Sequence, residues 1–168
     1  QAGETGLVHA AGSGVGHAAI QVAKFLKATV YTTVGSEGKM AKAKALGADA
    51  VINTQRESFE ERLKALTNGR GVNVVCEHIG PTTWEASLRV LDKGGRLVTC
   101  GATSGPTVTL DLRYVFSRQL SVLGSLMGTH RELMMLMPLL AERQLCPVVD
   151  TVFPLEQARA AQERMAAR

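Results

Sequence analysis

Cysteine is nearly absent. Cys76, Cys100 and Cys146 are far apart and odd in number, and none belongs to a Cys-x-x-Cys pair. That argues against a disulfide framework and a self-contained zinc site, and it points to a reducing, cytoplasmic compartment. Cys76 and Cys100 each end a predicted strand, where small buried hydrophobes are expected. No signal peptide and no apolar run of bilayer length occurs, so no membrane partner is expected. Charge is thin and scattered: 19 Lys and Arg against 15 Asp and Glu, a formal +4. The clustered basic run that binds nucleic acid is missing, although a slight positive excess suits a phosphate-rich ligand. Aromatics make up only 4% of the residues. The single tryptophan, Trp84, is expected in a core or an interface and not as a stacking platform.

What is present fits one domain, long enough at 168 residues to bury a full core. The 17 glycines suit tightly packed α/β layers. The most informative stretch runs from Gly6 to His17. Leu7–Ala10 reads as a buried strand and Gly12-Ser-Gly-Val-Gly16 as a tight turn. Apolar residues at Val15, Ala18, Ala19, Val22 and Leu26 then form one face of a helix. A strand entering a helix through glycines is how an open parallel sheet holds a pyrophosphate. The backbone approaches the phosphates, and the first helical amides point at them. Strictly, the acceptable match is Gly14-x-Gly16-x-x-Ala19, and the cradle comprises Ser13, Gly14, Val15 and Gly16.

Further strands are predicted at Thr29–Val34, Ala50–Asn53, Val72–Cys76, Arg96–Cys100 and Leu120–Gly124. Helices are predicted between them. One runs to Leu46, and one opens at the capping box Ser58–Glu61. Others open at a second box, Thr82–Glu85, near Arg113–Ser117, and at Thr129–Glu132. Pro138 falls inside the last of these, where a kink or restart is expected. Cys146–Phe153 reads as extended, and Pro154 opens a final helix towards Met165. Alternating strands and helices imply an α/β fold: a doubly wound parallel sheet of the Rossmann type, with strand order 3-2-1-4-5-6. The ligand belongs over the carboxyl ends of the strands, where Ala11–Gly16, Glu77–Gly80 and Gly101–Ser104 should meet.

NAD-binding sheets usually place a carboxylate at the end of the second strand, on the ribose hydroxyls. Here that place falls on or next to Gly35. Glu37, two residues on, is accounted for by the first turn of a helix. A 2′-phosphate needs room, a hydroxyl and a cation, and Gly35, Ser36 and Lys39 supply them, which favours NADP over NAD. The plainer readings are an exposed lysine at Lys39 and a helix cap at Ser36.

The chain resembles the coenzyme-binding domain of the medium-chain dehydrogenase/reductase superfamily, from about Gly3 to Met165. The resemblance rests on several motifs taken in order: His9–Gly16, Lys44–Asn53, Glu77-His-Ile-Gly80, Gly94–Thr103 and Val152-Phe-Pro-Leu-Glu156. Within the superfamily it is similar to bacterial zinc-type alcohol dehydrogenases and to quinone oxidoreductases. The resemblance implies that Ser13–Val15 contact the pyrophosphate, and that His78 and Ile79 lie beside the ribose and nicotinamide. Gly101, Ala102 and Thr103, with Ser125 and Met127, would line the nicotinamide end. His78 reads equally as a hydrogen-bonded strand-end residue; His9, His17 and His130 read as structural or exposed.

The chemistry so implied is hydride transfer between the nicotinamide and an alcohol or carbonyl carbon. In the alcohol dehydrogenases zinc polarises the oxygen, held in a preceding domain that this chain does not contain. The chain begins at Gln1, not Met, and is expected to be a piece of a longer protein. Residues 1–144 would form the dinucleotide domain and 145–168 an extension returning towards the catalytic domain. The family pairs sixth strands edge to edge, so a homodimer through Leu120–Ser125 is expected. Alternatives are a zinc-free NADPH-dependent quinone or enone reductase, and a non-catalytic nucleotide-binding module. A methyltransferase-like reading is weaker, because the second-strand acid is missing.

Overall fold

The structure is a computed structural model of the chain and describes residues 1–167. Six strands, β1 (Thr5–Val8), β2 (Thr29–Val34), β3 (Ala50–Asn53), β4 (Val72–Glu77), β5 (Leu91–Thr99) and β6 (Ser121–Gly124), form one sheet. Its order is β3-β2-β1-β4-β5-β6 and every pairing is parallel, as the alternation of elements predicts. Helices α1 (Gly14–Phe25), α2 (Met40–Ala45), α3 (Phe59–Leu66), α4 (Pro81–Arg89), α5 (Leu112–Arg118), α6 (His130–Ala141) and α7 (Ala158–Ala167) complete the fold. No helix among the described residues is long and apolar enough to cross a membrane.

Successive side chains on a strand point to opposite faces, and β1 shows why both faces of this sheet are apolar. Leu7 joins Ile52, Val75 and Leu97 under Leu63 of α3 and Trp84 and Leu88 of α4. Val8 joins Val30 and Val34 under Ile20 of α1 and Ala43 of α2. Trp84 is therefore a core residue, 7% exposed.

Several expectations are corrected. The first strand ends at Val8, short of Ala10, because Ala10 takes a left-handed φ of 51° that a strand cannot accommodate. The box expected at Thr82–Glu85 does not form. Gly80 is the N-cap of α4, at φ 100°, and Pro81 occupies the first turn, where its missing N–H costs nothing. Cys76 is half-buried, but Cys100 is exposed, because it lies one residue beyond β5. Strand β5 begins at Leu91, and the register shifts between its pairs with Val72 and Val74, so Asp92–Gly95 forms a bulge with Lys93 and Gly94 exposed and Gly95 buried.

The capping box of α6 is present: Thr129 N–H donates to Glu132 Oε2 at 2.7 Å, and Thr129 Oγ1 accepts from Glu132 N–H at 3.2 Å. The helix then runs through Pro138 without restarting, and it buries no residue. Met134, four residues before the proline, is exposed, so water can take the carbonyl that the ring leaves unpaired. Residues 146–153 pair with no strand among the described residues. Gln21 of α1 holds the start of this segment by two bonds to the Cys146 backbone, at 2.8 and 2.9 Å.

Candidate functional site

The carboxyl ends of β1, β4 and β5 converge, and the turn after β1 shapes the crevice between them. Ala11 N–H donates to Thr33 O at 2.9 Å and Ser13 N–H to Ala10 O at 2.9 Å, closing the loop. Ser13 caps α1, its Oγ accepting from Gly16 N–H at 2.9 Å. Gly16 packs so tightly on Ala10 that no side chain fits there, whereas a β-carbon on Gly14 would meet nothing within 4 Å. The Gly14 and Val15 amides have no acceptor among the described residues. Two unpaired amides at the positive end of a 12-residue helix are an arrangement that can accept an anion.

The turn after β4 is held from within by a buried carboxylate. Glu77 Oε1 accepts from Ile79 N–H at 2.7 Å and Gly80 N–H at 3.2 Å. Its Oε2 accepts from the hydroxyls of Thr83 and Ser87, each at 2.8 Å. Because Ser87 donates to Glu77, it must accept from His9 Nε2–H, 2.9 Å away. His9 Nδ1 then accepts from the Thr33 hydroxyl at 3.2 Å, and Thr33 Oγ1 accepts from Ala10 N–H at 3.0 Å. Every proton in this chain is assigned, with His9 neutral. Burial lowers the His9 pKa to about 4, against the pull of Glu77, so the 3.7 Å approach of the two side chains is not an ion pair. Burial pushes Glu77 up, but His9, once that ring is charged at acid pH, and the hydrogen bonds from the Ile79 amide and the Ser87 and Thr83 hydroxyls outweigh it and hold the carboxyl below its ordinary value.

His78 is 8% exposed, and its Nε2 donates to His9 O at 2.9 Å. It is thus hydrogen-bonded at the strand end. Since Nε2 carries the proton, the Ser13 hydroxyl, 3.5 Å from it, keeps its own proton for another acceptor. The β5 loop is stitched to the same turn. Ser104 N–H and Oγ–H each donate to Ile79 O at 2.7 Å, and a β-carbon on Gly101 would lie 3.1 Å from His78 O. Gly101, Ala102 and Thr103 therefore border His78 and Ile79 as predicted. Ser125 N–H donates to Thr99 O at 2.9 Å, two residues before Gly101. Met127 is 89% exposed with a left-handed φ of 46°.

At the end of β2, Gly35 is unobstructed: nothing lies within 4 Å of a β-carbon built there. Ser36 occupies an N-cap position but makes no capping bond with its side chain, so its hydroxyl is not spent on the helix. Lys39 leans over the glycine turn, with its Cδ 3.5 Å from a β-carbon built on Gly12. Beside Gly35 opens a cavity of about 480 Å³ lined by His9, Thr33, Thr54, Phe59, Ile79 and Thr83, among others. Phe59 meets His9 edge to face, with ring centroids 5.0 Å apart. Sequence reading missed this cavity, whose lining comes from several separate elements. Only the position of its residues at or just past strand ends and at helix starts could have signalled it. No group of three His, Cys, Asp or Glu able to hold a metal occurs among the described residues.

Residues 14–142 match the family described as zinc-binding dehydrogenase. A quinone oxidoreductase of Salmonella typhimurium is 46% identical over 106 residues, 63% of this chain and 32% of that protein. A 2-haloacrylate reductase of a Burkholderia species is 39% identical over 127 residues, 76% of this chain and 37% of that protein. The crystal structure of an NAD-dependent alcohol dehydrogenase aligns with a TM-score of 0.91 at 41% identity, over 99% of this chain and 49% of that one. The chain thus spans about a third to a half of the length of these relatives.

Proposed function

The chain belongs to the zinc-binding dehydrogenase family, in the medium-chain dehydrogenase/reductase superfamily, and from that premise we propose that its crevice prefers NADP(H) to NAD(H). It is an NAD(P)-binding domain of that superfamily. The observation that carries the cofactor reading is the pair of unpaired amides, Gly14 and Val15, at the start of α1. Ser13 adds its hydroxyl proton to them, and Gly16 lets α1 start close to the sheet. Gly35, Ser36 and Lys39 receive the 2′-phosphate. The adenosine occupies the cavity between Thr33, Thr54, Phe59 and Thr83. Ile79 and the Gly101–Thr103 loop border the nicotinamide end, with Ser125 and Met127 further out. His78 acts there by fixing the turns and not by touching the cofactor.

The nicotinamide, when bound, supplies or accepts the hydride. This chain's own residues bind and orient it; in the full-length protein the reacting partner is an alcohol or carbonyl substrate, as in zinc-type alcohol dehydrogenases. A zinc ion, were the full-length protein to use one, would polarise the substrate oxygen and would be held by residues outside this chain. A zinc-free quinone or enone reductase is the second reading, favoured by the 46% identity to a quinone oxidoreductase. Residues 1–144 are the cofactor domain and 145–168 a segment returning to the catalytic domain. The solvent-facing edge strand β6, exposed along its whole length, pairs with its copy in a cytoplasmic homodimer.

Titration of the chain with NADPH and with NADH tests this. Tighter NADPH binding is expected, with the Gly14 and Val15 amide resonances shifting. Equal or NADH-favoured binding overturns the preference. Amide signals unmoved at millimolar nucleotide overturn the cradle itself.

A further inference from the structure

The β2–α2 turn carries one carboxylate, Glu37, and it is held. Asn53, 3% exposed at the end of β3, donates from Nδ2 to Glu37 Oε2 at 3.3 Å. The orientation of that amide is fixed, because its Oδ1 accepts Gln55 N–H at 3.1 Å, which leaves Nδ2 facing Glu37. The Asn53 carbonyl also accepts from Arg56 N–H at 3.0 Å and Glu57 N–H at 3.1 Å, shaping a turn that delivers Arg56 to the same carboxylate. Arg56 Nη1 lies 3.1 Å from Glu37 Oε2. Gly35 and Thr54 line the cavity, but neither Glu37 nor Arg56 does. The acid is drawn towards β3, while Lys39 is drawn the other way, over Gly12. Glu57, the carboxylate that does line the cavity, has Arg62 Nε at 3.8 Å.

We propose that Asn53 and Arg56 form a clamp that withholds Glu37 from the ribose, and that this clamp is a determinant of the preference for a 2′-phosphorylated nucleotide. The inference rests on the nucleotide site assigned above and adds a residue pair to it. Specificity is a difference between two affinities, so withdrawing a repulsive group counts as much as supplying an attractive one. A carboxylate released from the clamp would face the 2′-phosphate as a like charge, and the free 2′-hydroxyl of NADH as a hydrogen-bond acceptor. The two affinities would then move in opposite directions. The ion pair itself is largely exposed, at 69% and 58%, and adds little to stability. Its part is to choose where one charge sits.

The test is a double-mutant cycle read in nucleotide affinity. Dissociation constants for NADPH and NADH are measured for the wild type, Arg56→Gln, Glu37→Gln and the double variant. Arg56→Gln in the wild-type background is expected to lower the NADPH preference roughly three- to tenfold, from the like charge brought near the phosphate. In the Glu37→Gln background the same change should have little effect, and Arg56→Lys should restore most of the preference. An equal loss in both backgrounds would mean that Arg56 acts on the phosphate directly, and overturns the clamp; so does no loss in either. A wild type that prefers NADH, yet shows the background-dependent shift, overturns the proposed preference and leaves the clamp standing. Binding of neither nucleotide overturns both.

Discussion

Gly16 faces the carbonyl of Ala10 so closely that a β-carbon built on it would lie 2.2 Å from that oxygen. The carbonyl has little freedom to retreat. It accepts from Ser13 N–H, and Ala10 is itself pinned by its amide on Thr33 Oγ1. Of the two glycines in the Gly14-x-Gly16 pair, this one is therefore demanded by packing.

Gly16→Ala is expected to destabilise the chain by about 1–3 kcal/mol, as overpacking does, and to weaken nucleotide binding by moving the start of α1. Gly14→Ala should leave stability unchanged within about 1 kcal/mol, since an exposed helical glycine gains from the substitution. It should nonetheless weaken NADPH at least roughly tenfold, by placing a methyl where the pyrophosphate approaches. Urea denaturation and nucleotide titration of the two variants separate the roles. Loss of stability in the Gly14 variant, or unchanged binding, would contradict the cradle.

Gly35 is the converse case, because its lack of a side chain is not required by its surroundings. Gly35→Asp should fold with a melting temperature close to that of the wild type. It places a carboxylate where a ribose-binding acid sits in NAD-specific sheets. NADPH affinity is expected to fall roughly tenfold or more, and NADH affinity to hold or rise. A proportionate fall in both would mean that Gly35 is not near the 2′ position.

How much of this was legible in the sequence follows from the range of the signals. The strands announce themselves because a parallel sheet buried on both faces needs short β-branched runs, such as Thr29–Val34. The crevice follows from topology once the order is known. What failed was local or long-range. Thr82-Thr-Trp-Glu85 has the letters of a capping box, but Gly80-Pro81 had already started the helix, and the Thr83 hydroxyl serves Glu77. The cavity at Phe59, the His9–Ser87 bond across 78 residues and the Asn53–Glu37 contact exist only through folding. Ser36 was legible as a cap or a phosphate ligand; only folding shows that its side chain makes no capping bond.

Glu77 accepts four hydrogen bonds and donates none. Glu77→Gln keeps the shape but exchanges one acceptor oxygen for an NH2. If the amide faces the backbone, Ile79 and Gly80 N–H lose their acceptor; if it faces Thr83 and Ser87, Thr83 is left with the Gly80 carbonyl at 3.3 Å and Ser87 must turn its proton to His9 Nε2. The first leaves two donors unpaired and the second forces His9 into its other tautomer, so a loss of about 1–3 kcal/mol is expected. The turn that carries His78 and Ile79 should loosen with it, so faster amide exchange at Ile79 and Gly80 is expected beside lower stability. Unchanged exchange at those two amides would show that the carboxylate does not hold the turn.

His9 gives the fold a specific acid sensitivity. It is fully buried, both ring nitrogens are in use, and burial lowers its pKa from the ordinary 6.5 to about 4. Between those values the unfolded chain binds a proton that the folded chain refuses. The contribution is therefore complete above the unfolded pKa and is lost as pH falls towards the folded one. Over the full window it amounts to roughly 3 kcal/mol, of which about 2 kcal/mol is lost between about pH 7 and about pH 5. Glu77 is shifted in the same direction, so its loss has the same sign and falls at more acid pH, in the carboxylate range. His9→Gln offers an amide donor towards Ser87 and an oxygen towards Thr33 without a titrating group. Urea denaturation at the two pH values should show the wild type losing about 2 kcal/mol more than the variant. Parallel losses in the two proteins would mean that His9 takes up a proton in the fold as readily as in the unfolded chain, with Nδ1–H then donating to Thr33 Oγ1 instead of Nδ1 accepting from it.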